Sequence, residues 1–153
     1  MNETSKNTAV KLIEAAVTGS EGAIRAAVSD TVIWHTPPST LPAYQGPHHG
    51  PEAVIALIAA GGAPFVPGSR RVRVERCLAE GDHVAVDWRQ TATLADGTAY
   101  DNLYSFRFRM DKGEIAEVWE NFDTGYLYGR LGLDPSGWLA TGTEIGVGQQ
   151  AGT

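Results

Sequence analysis

Four alternating segments separated by three-residue turns constrain this chain more than any other feature. Arg70 to Ala79, His83 to Leu94, Thr98 to Met110 and Glu114 to Phe122 read as strands. Glu80-Gly81-Asp82, Ala95-Asp96-Gly97 and Asp111-Lys112-Gly113 fall between them. Connections this short join only antiparallel neighbours, so the second half predicts a meander. The first half has a helical period instead. Val10, Ile13, Glu14 and Val17 recur after an Asn7-Thr8 start, and Gly19 ends that segment. Ser20 is placed to cap a second short helix through Val28, with Glu21 favourable to its dipole. A short strand, Thr31 to Thr36, runs into Pro37-Pro38. Gly50-Pro51-Glu52 opens a third helix that continues to Ala60 and closes at Gly61-Gly62. Asp123 is placed to cap a last helical turn through Leu131. Helices first and a meander after them predict an α+β fold. The curved antiparallel sheet would pack on three N-terminal helices as a cone-shaped roll with an internal pocket. The domain spans residues 1–133, and residues 134–153 read as a flexible tail or a partner-binding arm.

Turn chemistry sets the expected register. A three-residue hairpin at Ala95-Asp96-Gly97, with Gly97 left-handed, pairs Leu94 with Thr98, Gln90 with Asn102 and Trp88 with Tyr104. The same loop type at Asp111-Lys112-Gly113 pairs Met110 with Glu114, Phe106 with Val118, Tyr104 with Glu120 and Asn102 with Phe122. One face then carries Val84, Val86, Trp88, Tyr100, Tyr104, Phe106, Phe108 and Val118, and it is apolar except for Gln90, Asn102 and Glu120. The other face carries Asp87, Arg89, Asp101, Arg107, Arg109 and Glu117. A carboxyl group on the inner face is costly unless hydrogen-bonded or protonated, and burial raises its pKa towards the range useful for proton transfer. Glu120 is therefore the leading candidate for a general acid or base. Tyr104, Asn102 and Gln90 would orient a substrate or stabilise a developing oxyanion. Trp34, Trp88, Phe106, Val118 and Phe122 would form apolar walls, with Tyr44 as a lid over the cavity.

Other candidates carry less. His35, at the end of the first strand, is an acid/base candidate at the pocket mouth, with an ordinary strand residue as the plainer reading. His48-His49 lack partners at metal-ligand spacing, and no metal site is expected. Arg70, Arg71, Arg73 and Arg76 form a basic strand that could attract an anionic substrate or a partner, with a solvated strand face as the plainer reading. Gly142, Gly146 and Gly148 have no strand-turn-helix context, which removes a phosphate loop. The single cysteine, Cys77, allows no intramolecular disulfide and has no base partner in sequence. A net charge of −6 argues against nucleic acid as a partner. The longest apolar stretch, Ala53 to Val66, is interrupted by Gly61, Gly62 and Pro64, so no membrane segment is expected. The polar N-terminus shows no secretory signal, and the expected location is cytoplasmic.

Val32-Ile33-Trp34-His35-Thr36-Pro37, Tyr100-Asp101-Asn102-Leu103-Tyr104-Ser105-Phe106 and Gly113-Glu114-Ile115 through Trp119-Glu120-Asn121-Phe122-Asp123-Thr124 resemble the nuclear-transport-factor-2-like superfamily. Within it they are most similar to SnoaL-like polyketide cyclases and ketosteroid isomerase relatives, over roughly Thr8 to Leu133. The resemblance implies a curved sheet on three helices, a conical pocket and a homodimer. Limonene-epoxide-hydrolase-like members carry an Asp-Arg-Asp set. The matching positions here are Trp88, Gln90 and Glu120, so only one acid is kept. Where ketosteroid isomerase members place a catalytic Asp before a Pro, this chain has Thr36. The expected function is proton-transfer chemistry on a small apolar cyclic or polyketide-like molecule: isomerisation, cyclisation, dehydration or epoxide opening, with no cofactor. The alternatives are a non-catalytic binder of an apolar ligand and a structural dimerisation module.

Overall fold

The computed structural model describes residues 2–133; the tail from Pro135 lies outside the described residues. In chain order the elements are α1 (Asn2–Thr18), α2 (Glu21–Ala27), β1 (Val28–His35), β2 (His48–His49), α3 (Gly50–Gly62), β3 (Arg71–Glu80), β4 (His83–Thr93), β5 (Ala99–Asp111), β6 (Glu114–Phe122) and α4 (Thr124–Arg130). The strands form one curved α+β sheet in the order β2-β1-β6-β5-β4-β3. Its inner face is covered by α1, lying on β3 and β4, and by α3, lying on β1. No helix among the described residues is long and apolar enough to cross a membrane.

Local chemistry explains most of the boundaries. α1 begins earlier than the Asn7-Thr8 start, because Glu3 pairs with Lys6 at 3.0 Å and Thr8 Oγ1 donates to the Thr4 carbonyl at 3.0 Å. Gly19 leaves the helix with φ of 72°, a conformation that favours glycine. Ser20 occupies the N-cap of α2, yet its side chain makes no capping hydrogen bond. Asp123 does cap α4, accepting from the Tyr126 backbone N–H at 2.9 Å. β1 starts at Val28 rather than Thr31, since Val28 already pairs with Ile115 before a bulge. β2, a two-residue strand that pairs with β1, carries no local signal and was not expected.

The two hairpins that fix the inner face behave differently. The β4–β5 turn is as expected: Gly97 is left-handed at 86°, and Gln90 faces Asn102 and Trp88 faces Tyr104. The β5–β6 register differs from expectation. Lys112 and Gly113 both take positive φ, 50° and 84°, which makes a two-residue turn. Asp111 then pairs with Glu114 and Met110 with Ile115. Ala116 is an extra residue at a bulge, after which Arg109 pairs with Glu117. Each change shifts the pairing by one residue, and together they shift it by two. The faces are therefore conserved while the cross-strand partners change. Glu120 lies opposite Phe106, not Tyr104, and Tyr104 lies opposite Phe122.

Candidate functional site

The sheet's inner face, α1, α3 and α4 enclose a cavity of about 140 Å³. Its walls include Ile13 and Val17 of α1, Leu57 and Ile58 of α3, Leu127 of α4 and Leu131 just after it. The loop after β1 supplies the rim. Thr40 Oγ1 and Tyr128 Oη lie 2.8 Å apart, the Leu41 N–H donates to Tyr128 Oη at 3.2 Å, and Thr36 Oγ1 donates to the Tyr44 carbonyl at 3.0 Å. Tyr44 lines the cavity and remains partly exposed, which fits a rim residue.

Glu120 lines this cavity and keeps some accessible surface for that reason. Its Oε2 accepts a hydrogen bond from Trp34 Nε1 at 2.7 Å. Parallel pairing of β1 with β6 creates this contact by setting Trp34 beside Val118. Burial pushes the Glu120 carboxyl up to about 7 from an ordinary 4.5, and the Trp34 hydrogen bond reverses only part of that rise. Trp34 is thus a polar partner as well as an apolar wall, a role absent from the sequence reading.

Tyr104 is held on both ring faces. Trp88 stacks on it at 4.3 Å between centroids and Phe122 at 5.2 Å. Its hydroxyl lies 2.6 Å from Tyr100 Oη, which accepts from Asn102 Nδ2 at 2.9 Å. Burial raises the Tyr104 phenol well above its ordinary value, so it stays protonated. Phe106 completes the wall, edge-on to both Trp34 and Trp88.

Three sequence expectations need correction. His35 does not reach the cavity. It adjoins Trp34 on a strand, so its side chain takes the opposite face. There Nε2 meets Glu117 Oε1 at 2.7 Å, and the ring stacks on Trp119 at 5.4 Å. Asn102 is buried behind the wall rather than in it. Its amide donates to Tyr100 Oη and to the Asp123 carbonyl, so it positions the tyrosine pair. Val118 is fully buried in the closed core and does not line the cavity. The remaining candidates, Glu120, Tyr104, Gln90, Trp34, Tyr44, Trp88, Phe106 and Phe122, all come together around the cavity.

The sequence reading favoured a solvated face for Arg70, and the structure corrects it. Arg70 turns inward, donating from Nη2 to Gln90 Oε1 at 3.3 Å and lying 5.2 Å over the Phe65 ring. Burial lowers its pKa from the ordinary guanidinium value. Parity carried the signal. Val72 pairs with Gln90 and Val74 with Trp88, so position 70 shares the inner phase while Arg71 and Arg73 do not. After a bulge at Glu75, Arg76 faces outward opposite Asp87. His48 is bound to the Tyr44 carbonyl at 2.8 Å, and no group of three His, Cys, Asp or Glu side chains gathers among the described residues.

Comparison with known proteins agrees with this architecture. Residues 9–118 match the SnoaL-like domain. No curated protein matches the sequence. A nuclear-transport-factor-2-like protein of unknown function from Burkholderia pseudomallei superposes with a TM-score of 0.72 at 21% identity, over 82% of this chain and 95% of that one. A candidate SnoaL-like polyketide cyclase from a Jannaschia species gives 0.72 at 18% identity, over 89% and 94%. IdmH, a candidate polyketide cyclase from Streptomyces antibioticus, gives 0.69 at 19% identity, over 84% and 99%. Likeness at such identities speaks for the fold, while the domain match covers most of the chain. The chain belongs to the SnoaL-like domain family, within the nuclear-transport-factor-2-like superfamily.

Proposed function

We propose that this protein is an enzyme that moves a proton, without a cofactor, on a small apolar cyclic or polyketide-like molecule. The observation that carries this reading is Glu120: a carboxyl group in an apolar cavity, with a single hydrogen bond to Trp34 and a pKa of about 7. A group so poised accepts and returns a proton near neutrality. Trp34 holds Oε2, which leaves Oε1 as the reacting oxygen. Ionised Glu120 would take a proton from carbon next to a carbonyl. The Tyr104 hydroxyl would stabilise the enolate oxygen, and Glu120 would then return the proton at another position or to a leaving oxygen. Isomerisation, cyclisation and dehydration share this sequence. The cavity volume takes about one ring, as an engineered cavity of about 150 Å³ takes benzene. A larger substrate would extend past Tyr44 through the mouth.

Glu120→Gln tests the reading. With a turned-over substrate from a panel of cyclic ketones and epoxides, kcat should fall about 10²- to 10⁴-fold. In the native protein, the rate of a base-catalysed step should rise with pH through about 7, because only the ionised carboxyl accepts the proton. Unchanged turnover in the variant would assign Glu120 to structure, and a native protein that turns over no member of the panel would favour a ligand binder.

A further inference from the structure

Among the described residues, four buried side-chain polar atoms have no hydrogen-bond partner: Ser29 Oγ, Arg70 Nε, Trp88 Nε1 and Gln90 Nε2. The last three belong to residues that line the cavity with Glu120, and all three atoms are N–H donors. The Gln90 amide is oriented by Arg70. Its Oε1 accepts from the guanidinium, so Nε2 must present its hydrogens elsewhere. Gln90 and Trp88 are almost fully buried, 1% and 3% exposed, so bulk water does not satisfy these donors. Arg70 brings a positive charge to the same corner, and no carboxylate among the described residues forms an ion pair with it. Every other arginine ion pair described lies elsewhere. A buried cation beside unused donors is a costly arrangement that an acceptor-only anion would complete. Arg70 is the one basic side chain among the described residues that line the cavity, and its single positive charge is matched by a carboxylate rather than a phosphate.

We propose that the ligand of this cavity is a cyclic carboxylic acid whose carboxylate sits at the Arg70–Gln90–Trp88 corner. The inference deepens the proposed function and rests on it for the chemistry at the far end. Gln90 and Trp88 stand on β4 and Glu120 on β6, with β5 between them. Glu120 is level with Val86 across β5, so the two corners are offset by two to four residues along β4 as well as by two strand spacings of about 10 Å, a span longer than one ring. An acid anchored at Arg70 lays its ring along Tyr104 and Phe106 and directs its far end towards Glu120. The labile carbon lies at the end of the ligand away from the carboxylate. This spacing also keeps the ligand's charge away from Glu120, which would otherwise be driven further towards its neutral form.

Benzoate and benzamide, equal in shape and different in charge, are the probes. Binding is read by titration and by the indole N–H resonance of Trp88. In the native protein at neutral pH, benzoate should bind about tenfold or more tightly than benzamide, a difference of about 1.4 kcal/mol, and should shift the Trp88 resonance. Arg70→Gln should bring benzoate down to the benzamide level. Glu120→Gln should keep the preference for benzoate, since that corner does not include Glu120. Equal affinities, no Trp88 shift, or benzoate that fails to bind at millimolar concentration would overturn the proposal. The native-protein comparison decides even if Arg70→Gln does not fold. Loss of turnover in Glu120→Gln without any benzoate preference sinks only the acid-binding corner. A benzoate preference with unaltered Glu120→Gln turnover sinks only the proton-transfer reading.

Discussion

At the residue scale, the site is a set of contrasts in solvation. Glu120 and Glu117 lie three positions apart on β6 and titrate in opposite directions. Burial raises both, but His35 and Arg109 hydrogen-bond Glu117 and hold it below the ordinary carboxylate range. Among the described residues Glu120 has only Trp34 as a hydrogen-bond partner, and its pKa stays up near 7. The sign of the linkage follows. In the unfolded chain Glu120 ionises near 4.5, so between that value and about 7 the folded state holds the extra proton. The stability associated with this group is full below 4.5 and is lost as pH rises through 7. Glu120→Gln, which never ionises, should therefore match the native protein at low pH and exceed it by about 3 kcal/mol above pH 7. Urea unfolding of both proteins across that range checks it. A constant difference at every pH would mean that the carboxyl is solvated.

At the element scale, the β5–β6 hairpin decides which side of the sheet Glu120 occupies. Alternation along the strands made the inner face legible, because each residue's side is a local property of an extended chain. The turn was less legible. Asp111-Lys112-Gly113 is compatible with a three-residue loop, and only the left-handed backbone of Lys112 reveals a two-residue one. The bulge at Ala116 was not legible at all: Ile115 and Ala116 are both buried, and nothing in their side chains marks the extra residue. Glu120 faces the cavity because the turn and the bulge displace the register by two residues in sum. Gly113→Ala should cost about 1 kcal/mol, from the positive φ alone, since a Cβ there meets open space. Thermal unfolding measures this, and a neutral effect would show that the turn relaxes to another type.

At the scale of the whole molecule, the sheet has two working faces. The inner one holds the cavity. On the outer one Trp119 stacks with His35 and His83 and lies 4.1 Å beneath the Arg107 guanidinium, and Leu103, further along β5, stands half-exposed on the same face. Apolar side chains set among charged ones on this face suit a second copy of this chain. Sedimentation velocity at micromolar concentration should give a dimer, and Leu103→Glu should give a monomer that keeps its ligand binding. A monomeric native protein would remove this surface from the account. Sequence alone sufficed for the order of the elements other than β2, for the β4–β5 register and for the inward set of Trp88, Gln90, Tyr104 and Phe106. Each depends on periodicity or turn chemistry within a few residues. Tertiary structure alone decided that Trp34 meets Glu120 across 86 positions, that Arg70 enters the cavity and that Asn102 supports the wall from behind. Those contacts depend on which strands become neighbours and where an edge strand bulges, and a one-dimensional pattern does not encode such distances.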